Sequence, residues 1–258
     1  MLLRALSTLT LAAASVATLP AADPFAGTWK LNLAKSKFTG QQTKIEDLGQ
    51  NRYKFTGGAD SDTITADGTD QPYHDGTTHA VTMETPNVRK TVVKKDGKIL
   101  STYTWTLSAD GKTMTLKGTQ YKPDGTAEDY GGASQRIGSG TGWTGTWEST
   151  DYKVSSPFEA VISAYQGDGL SISYPAYKDV LNMKFDGKDY SENGPNVLAG
   201  SKSSGRRVNA NTLEIADKIR DKVVDKATWK VSKDGKTLTV VAHNTGQPNA
   251  QTAVFDKQ

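Results

Sequence analysis

The sequence predicts an all-β protein made of two tandem antiparallel up-and-down β-barrels of about eight strands each. Three observations predict it: strings repeated between the two halves of the chain, Asp-Gly dipeptides that recur through both halves, and runs of Thr, Val, Tyr and Trp with alternating apolar residues. Helical spacing of apolar residues is almost absent. Paired β-sandwiches are the alternative, because an antiparallel sheet of this size either closes or splits into two layers.

The chain begins with the features of a secretory signal peptide: Arg4, an apolar run over residues 6–19, and the small residues Ala21 and Ala22. We therefore expect removal of residues 1–22, with cleavage near Ala21/Ala22, and a periplasmic or secreted mature protein. The apolar run is short and contains several Ser and Thr residues, so no membrane-spanning helix is expected to remain. The chain has no cysteine. Its stability in an oxidising compartment must come from packing rather than from disulfides.

The two halves carry the same anchor strings in the same order. Residues 25–29 (FAGTW) reappear as residues 143–147 (WTGTW), and residues 105–115 (WTLSADGKTMT) reappear as residues 229–239 (WKVSKDGKTLT). All five tryptophans lie in these strings. The Gly-rich stretch 138–142 between the halves is typical of a linker. The predicted organisation is a signal peptide at 1–22, one barrel at 23–137, the linker at 138–142 and a second barrel at 143–258.

Asp-Gly dipeptides mark the predicted hairpins, because both central residues of a tight hairpin turn need a positive φ. They separate strand-like runs at residues 67–68, 96–97, 110–111, 124–125, 186–187 and 234–235. In the second half the counterpart of Asp96-Gly97 reads Arg220-Asp221, for which we expect a looser turn. Residues 210–224 have a helix-favouring composition, but their alignment with the strand pair 88–100 predicts strands there as well.

Two aligned strands indicate which side chains face the barrel interior. From Ile99 to Leu107 the odd-numbered residues are largely apolar and include Tyr103, while most even-numbered residues are threonine. The counterpart, residues 223–231, repeats this inward row with a single charged exception, Asp225.

A Gly-x-Trp motif on a first strand, followed by hairpin-connected strands, resembles the lipocalin-like (calycin) barrels. Gly27 and Trp29 carry it in the first half, and Gly145 and Trp147 in the second. Together with FDGKDY (residues 185–190) and two S-x-DGKT-x-T strings, the pattern also resembles a group of exported bacterial proteins of unestablished function. The resemblance extends over nearly the whole mature chain, twice.

This resemblance implies how each barrel end is closed. In lipocalins the motif tryptophan lies beneath a basic residue from the last strand. By position, the resemblance places Arg136 over Trp29 and Lys257 over Trp147, each as a structural cation–π contact contributing about 0.5–2 kcal/mol. Lysine replaces the usual arginine in the second half.

A small barrel is either packed solid or holds one ligand. The sequence therefore favours a non-catalytic exported protein that binds a small, partly apolar molecule in one or both barrels, without a cofactor. An envelope structural or interaction protein without a ligand is the first alternative, and a small-molecule hydrolase or isomerase is the second. The candidate ligand-binding residues are Tyr73, Arg89, Tyr103, Tyr190 and Arg207. If a single barrel binds, we expect it to be the second, with Arg207 toward an anionic group.

Other classes of function find little support in the sequence. The formal net charge is +3 and the basic residues are scattered, so no nucleic-acid partner is predicted. No nucleophile elbow, phosphate loop or metalloprotease motif occurs, and no catalytic residue is assigned. His74 and His79 are five residues apart and would point to opposite faces of a strand, so no metal site is predicted. An outer-membrane barrel is disfavoured by the outward threonine rows.

Overall fold

The computed structural model describes residues 23–58, 60–156 and 158–258. The predicted signal peptide, residues 1–22, lies outside the described residues. The regular structure of the described part is β-strand apart from one 3-10 turn at Leu33–Lys35, which confirms the all-β class. No helix in this part of the chain is long and apolar enough to cross a membrane.

Twenty strands run through the described residues, ten in each half of the chain. Those of the first half are β1 (Gly27–Leu31), β2 (Gln42–Asp47), β3 (Arg52–Gly57), β4 (Asp60–Thr65), β5 (Gln71–Pro72), β6 (Thr78–Thr85), β7 (Val88–Lys95), β8 (Lys98–Leu107), β9 (Thr113–Tyr121) and β10 (Ala127–Ile137). Those of the second half are β11 (Gly145–Val154), β12 (Glu159–Tyr165), β13 (Gly169–Tyr174), β14 (Asp179–Met183), β15 (Tyr190–Asn193), β16 (Ser201–Asn209), β17 (Thr212–Ile219), β18 (Lys222–Val231), β19 (Thr237–Asn244) and β20 (Gln251–Lys257).

Short two-residue turns join the long central strands. Asp96 and Gly97, between β7 and β8, have φ angles of 50° and 77°. Arg220 and Asp221, between β17 and β18, have φ angles of 50° and 65°, so the expectation of a looser turn there is wrong. The flanking strand pairing imposes the same tight geometry although neither residue is glycine, at a cost of about 1–2 kcal/mol per residue.

The strands form two ten-stranded antiparallel sheets. Barrel 2, made of β1 and β12–β20, closes on itself because β1 pairs with both β12 and β20. Barrel 1, made of β2–β11, is barrel-like, with β4 and β5 as the ends of its sheet. Two tandem barrels are thus confirmed, but the expected count of eight strands is wrong. Short polar strands such as β5 and β15 show no apolar alternation by which a sequence pattern would find them.

Side chains bridge the seam between β4 and β5. The Gln71 amide donates to the Thr65 carbonyl at 2.6 Å and accepts from the Thr65 N–H at 2.7 Å, as a neighbouring strand would. Further along, the His74 N–H donates to Asp62 Oδ1 at 2.8 Å, and the His74 ring contacts the same carboxylate. The seam is therefore held by side chains where barrel 2 has backbone pairing between β14 and β15.

The two sequence repeats exchange their first strands. β1 lies in barrel 2, while β11 pairs with β10 and β2 in barrel 1. The predicted barrel boundaries, 23–137 and 143–258, therefore differ from the barrels observed, and the predicted linker 138–142 lies in the β10–β11 connection inside barrel 1. The reason is local: consecutive antiparallel strands joined by a short turn pair with each other. β11 then occupies the first-strand position of barrel 1, and β1 fills the position left in barrel 2.

Each barrel has a core gathered around its motif tryptophan, which defines the closed end. Trp29 is 0% and Trp147 is 1% exposed, and their indole N–H groups donate to the carbonyls of Phe25 and Trp143. The buried core of barrel 2 consists of Phe25, Trp29, Ile162, Leu170, Ile172, Leu181, Met183, Leu213, Ile215, Val231 and Leu238. The closed-end core of barrel 1 is smaller: Ile45, Leu107, Met114, Trp143 and Trp147. Each such large side chain contributes about 1.5–3 kcal/mol by burial.

The mouths of the barrels, opposite the closed ends, face each other. Tyr177, in the β13–β14 turn of barrel 2, donates to Glu128 Oε2 of barrel 1 at 2.6 Å and accepts from Gln120. Lys222 of barrel 2 pairs with Asp60 of barrel 1 at 3.0 Å. Further hydrogen bonds across this junction join Gln42 with Gln247, Gln41 with Asn244, Gly40 with Asn249, Tyr121 with Asn196, and Lys95 with Pro195 and Val197.

Candidate functional site

A cavity of about 350 Å³ lies at the mouth of barrel 2, beneath the β15–β16 connection. A deeper cavity of about 80 Å³ continues it into the barrel, and both are lined by Glu192, Ser203 and Asp217. Asp179 and Asp225 complete the carboxylates of the outer cavity. We call the outer cavity with Asp179, Glu192, Asp217 and Asp225 the acidic chamber.

Strand alternation places these side chains. On β17, Leu213 and Ile215 are buried in the core and Asp217 follows two residues later, toward the mouth. Because side chains two apart share a face, the same inward row changes from apolar to acidic as it leaves the core. β18 does likewise, with Asp225 two residues from the buried Ala227. The deeper cavity is lined on its apolar side by Ile172, Tyr174, Leu181, Ile215 and Trp229.

Partial burial disfavours ionisation throughout the chamber. Burial, reinforced by the neighbouring Asp217 charge, raises the pKa of Asp225 to about 6. Burial also raises the pKa of Asp217, where the Ser203 hydroxyl opposes the shift, and the pKa of Glu192, where the charges of Asp179 and Asp217 add to it. Burial raises the pKa of Asp179 too, against the opposing charge of Lys95. Four carboxyl groups thus share a space that holds little compensating positive charge.

Hydrogen bonding leaves part of this charge unsatisfied. The Ser203 hydroxyl donates to Asp217 Oδ1 at 2.5 Å. Asp179 Oδ1 and Asp225 Oδ1 are buried without a partner in the described part of the chain. Lys202 and Lys218 line the chamber, but they pair outside it with Asp221 and Asp189 at 2.9 and 2.7 Å. The arrangement suits a ligand that carries hydrogen-bond donors or a positive charge.

Three of the predicted ligand residues come together, but in barrel 1. Arg89 is 6% exposed, and Tyr73 and Tyr103 are close enough to act on its pKa. Tyr103 is half-buried, and burial raises the pKa of both tyrosines. Tyr73 stacks on His79 with ring centres 3.8 Å apart. These residues line the interior of barrel 1, not the acidic chamber.

The other two predicted ligand residues are engaged within the chain. Arg207 lies toward the closed end of barrel 2 and pairs with Asp23 at 2.6 Å, stacked over Phe185 at 5.0 Å. The Tyr190 hydroxyl donates to Asp186 at 3.0 Å. Arg207 therefore already has an anionic partner, and its expected role toward an anionic ligand has no support in this geometry.

The closing cations lie over the motif tryptophans with crossed partners. Arg136 lies over Trp147 at 4.2 Å and Lys257 lies over Trp29 at 5.0 Å, the reverse of the expected pairing. The exchange of β1 and β11 causes this, since each tryptophan moves to the other barrel with its strand. The glycine two residues before each tryptophan makes room for the cation. A Cβ on Gly27 (φ 142°) would come within 2.4 Å of Lys257 Cε.

The histidines take separate places. His74 contacts Asp62, His79 stacks on Tyr73, and His243 lines a depression of about 450 Å³ on the outer wall of barrel 2. Burial lowers the pKa of His79. Within the described residues no group of three or more His, Asp or Glu side chains is arranged to hold a metal ion.

Sequence reasoning missed three of the four chamber carboxylates. Asp225 was visible as the charged exception in the inward row of residues 223–231. Asp217 interrupts the row of Leu213 and Ile215 in the same way, so a search for acids in inward rows of both strands would have found the pair. Asp179 likewise continues the row of Leu181 and Met183 on β14, whereas Glu192 lies on the short strand β15, which has no buried apolar row.

Comparison of the chain with protein-family models, with curated proteins and with solved structures found no match in any of the three.

Proposed function

We propose that the protein is a non-catalytic, exported, lipocalin-like binding protein and that the acidic chamber holds a small, partly apolar ligand carrying a protonated amine. The observation that carries this proposal is the cavity of about 350 Å³ with a mixed lining. Ligand cavities usually measure about 300–1,000 Å³, with apolar walls and a few convergent polar groups. A barrel packed solid with side chains would instead favour the structural role.

Charge supports the amine. At neutral pH, above its raised pKa of about 6, Asp225 is ionised, and the chamber also contains the unpartnered oxygens of Asp179 and Asp225. An ammonium group offers three donors to such oxygens. The apolar lining of the deeper cavity, with Trp229 and Ile172, suits a short hydrocarbon body. The ammonium group of such a ligand would therefore face the carboxylates of the chamber, and its hydrocarbon part would face the apolar lining of the deeper cavity.

The binding test uses unbranched primary alkylamines from butylamine to decylamine, titrated into the mature protein by calorimetry, with the corresponding alcohols as uncharged controls. We expect the amines to bind and affinity to rise as the pH increases through about 6, because Asp225 then loses its proton. The variant Asp217→Asn should weaken binding at least tenfold, a loss of about 1.4 kcal/mol. Asp234→Asn, in the β18–β19 turn at the closed end, is the matched control and should bind as the wild type does.

Equal affinity for alcohols and amines, or an Asp217→Asn variant that binds as tightly as the wild type, would refute the amine site. Native mass spectrometry of protein from its natural source provides an independent check. Release of a small molecule that contains a basic nitrogen supports the proposal. A protein that releases no small molecule and binds none of the amines favours the interaction role.

One observation favours the hydrolase or isomerase alternative. Asp225, with a pKa of about 6 beside Asp217, has the property of a general acid that works near neutral pH. Under this alternative, turnover of a bound small molecule would fall by two orders of magnitude or more in Asp225→Asn, while the molecule still bound. Binding without turnover in the wild type favours the non-catalytic role. The exported location stays a prediction, since residues 1–22 lie outside the described residues.

A further inference from the structure

The interior of barrel 1 contains a buried arginine that has no anionic partner among the residues the structure describes. Arg89 is 6% exposed, and its Nε is buried with no hydrogen-bond partner in the described residues. Its Cζ lies 4.7 Å from the ring centre of Phe55 and 4.9 Å from that of Trp143. Burial lowers the pKa of Arg89, yet a guanidinium stays protonated at any pH at which proteins fold. A full positive charge is therefore enclosed in the barrel.

The surroundings of this charge do not neutralise it. The ionisable groups that act on Arg89 are three tyrosines, Tyr53, Tyr73 and Tyr103, and no carboxylate is among them. Two aromatic faces offset only part of the cost of taking a guanidinium out of water. A buried charge of this kind is stable when an oxyanion completes it. The missing component is an anion.

The register of the strands shows what lies above Arg89 on the way to the mouth. Arg89 on β7 is paired with Trp105 on β8. Two residues further toward the mouth, Thr91 is paired with Tyr103. Ser101, Gln120 and Glu128 form the last polar layer before Tyr177 of barrel 2. Phe55, Met83 and Trp105 are half-buried and pack against the closed-end core. A ligand entering from the mouth would contact apolar side chains along the walls and the positively charged Arg89 at the bottom of the barrel.

We propose that barrel 1 is a second binding site, which takes a small organic carboxylate with its head group on the Arg89 guanidinium. The fork of N–H donors matches a carboxylate in a two-point contact, and Tyr53, Tyr73 and Tyr103, the tyrosines that act on Arg89, carry hydroxyl donors of their own. The proposal goes beyond the proposed function, because it concerns the other barrel and the opposite ligand charge.

Comparison of the two barrels supports the assignment. The cross-strand pair Met83 and Arg89 of barrel 1 corresponds, through the repeat, to the pair Arg207 and Leu213 of barrel 2. Both arginines lie by the aromatic residue four positions before the motif tryptophan. Arg207 is neutralised by Asp23 at 2.6 Å. The position that corresponds to Asp23 in the other repeat is Thr141, so barrel 1 has an arginine in this cross-strand pair, on the other strand, but lacks the aspartate.

The test titrates sodium salts of unbranched carboxylic acids, from acetate to decanoate, into the mature protein, with the corresponding alcohols as controls. Binding is followed by calorimetry and by the tryptophan fluorescence of Trp105 and Trp143. We expect at least one carboxylate to bind and the corresponding alcohol to bind at least tenfold more weakly. Arg89→Met, which keeps the side-chain length without the charge, should weaken carboxylate binding at least tenfold. Arg207→Met is the matched control and should bind carboxylates as the wild type does.

Unchanged affinity in Arg89→Met, equal affinity for alcohols, or no carboxylate bound by the folded protein would each overturn the proposal. Should Arg89→Met fail to fold, Arg89→Lys replaces it. Lysine keeps the charge but loses the two-point contact, so weaker binding supports the site and unchanged binding overturns it. Asp217→Asn, which tests the acidic chamber, is expected to leave carboxylate affinity unchanged. Failure of one proposal is therefore distinguishable from failure of the other.

Discussion

Asp225 shows how much one inward side chain changes a strand. Its neighbours in the same row, Ala227 and Trp229, belong to the barrel interior and contribute by burial. Asp225 has the same orientation but lies near the mouth, where one of its oxygens is buried without a partner. Such a residue costs stability in the empty protein. The proposed amine ligand would offset this cost by donating to the unpartnered oxygen.

The cost predicts a dependence of stability on pH. Folding raises the pKa of Asp225 from 3.8 to about 6. Between these values the folded protein holds a proton that the unfolded chain has lost, so the free energy of unfolding falls as the pH rises. Asp225→Asn removes this penalty and should stabilise the protein near pH 8 by about 1 kcal/mol, allowing for the screening of a partly exposed group.

Urea unfolding of wild type and variant at about pH 4 and about pH 8 measures this effect. The advantage of Asp225→Asn should become much smaller at the acid end, where Asp225 is protonated in the folded wild type and partly protonated in the unfolded chain. Asp151→Asn, an exposed residue paired with Lys153, is the control, with no comparable gain at either pH. A variant less stable than the wild type near pH 8 would contradict the assignment of an unfavourable buried charge.

At the scale of the elements, the sequence predicted which residues form strands more accurately than it predicted which strands pair with each other. The repeated strings located Trp29 and Trp147, and alternation found the inward row from Ile99 to Leu107. Neither contains information on whether β1 joins its own repeat or the other, because both first strands fit both barrels equally well by pattern. The short connection from Ile137 to Gly145 decides it, since it lets β11 pair at once with β10. The acidic chamber was hidden for a similar reason, since its carboxylates come from four strands, β14, β15, β17 and β18, whose pairing the sequence does not reveal.

The exchange is testable by cross-linking, because the chain has no cysteine of its own. Lys30 on β1 is paired with Asp256 on β20, so Lys30→Cys with Asp256→Cys should form a disulfide on oxidation. The bridge closes a long loop and should stabilise the protein by about 2–4 kcal/mol. Intact mass and thermal unfolding with and without reductant measure both effects.

The control for this experiment comes from the repeat. Glu148, the counterpart of Lys30 on β11, is paired with Gln135. Without the exchange, Lys30 would therefore lie opposite Gln135. Lys30→Cys with Gln135→Cys should stay reduced, and a disulfide in this pair in place of the first would show that each repeat keeps its own first strand.

At the scale of the whole molecule, strand exchange and mouth-to-mouth packing make the two barrels one unit. The β1–β2 and β11–β12 connections join the barrels, and the hydrogen bonds of the junction come from the turns around both mouths. The closed ends point outward and the acidic chamber lies by the junction. The interior of barrel 1 opens toward the same junction. Changes at this surface should therefore affect the stability of the whole protein rather than that of one barrel.

Tyr177 is the sharpest probe of the junction. Its hydroxyl donates to Glu128, which is 6% exposed, and accepts from Gln120. Burial, together with the hydrogen bond to Glu128, raises the pKa of Tyr177, so the hydroxyl stays protonated and remains a donor. Tyr177→Phe leaves a buried carboxylate without this donor and should lower the free energy of unfolding by about 1–3 kcal/mol.

Tyr165→Phe is the matched control, because the Tyr165 hydroxyl makes no hydrogen bond within the described residues, and its effect should be below about 0.5 kcal/mol. Urea unfolding followed by tryptophan fluorescence and by far-ultraviolet circular dichroism measures both variants. If the barrels form one cooperative unit, the two signals of Tyr177→Phe shift together to lower denaturant concentration. Equal stability of the two variants would mean that the Tyr177 contact does not hold the mouths together, and the barrels would then be expected to unfold separately.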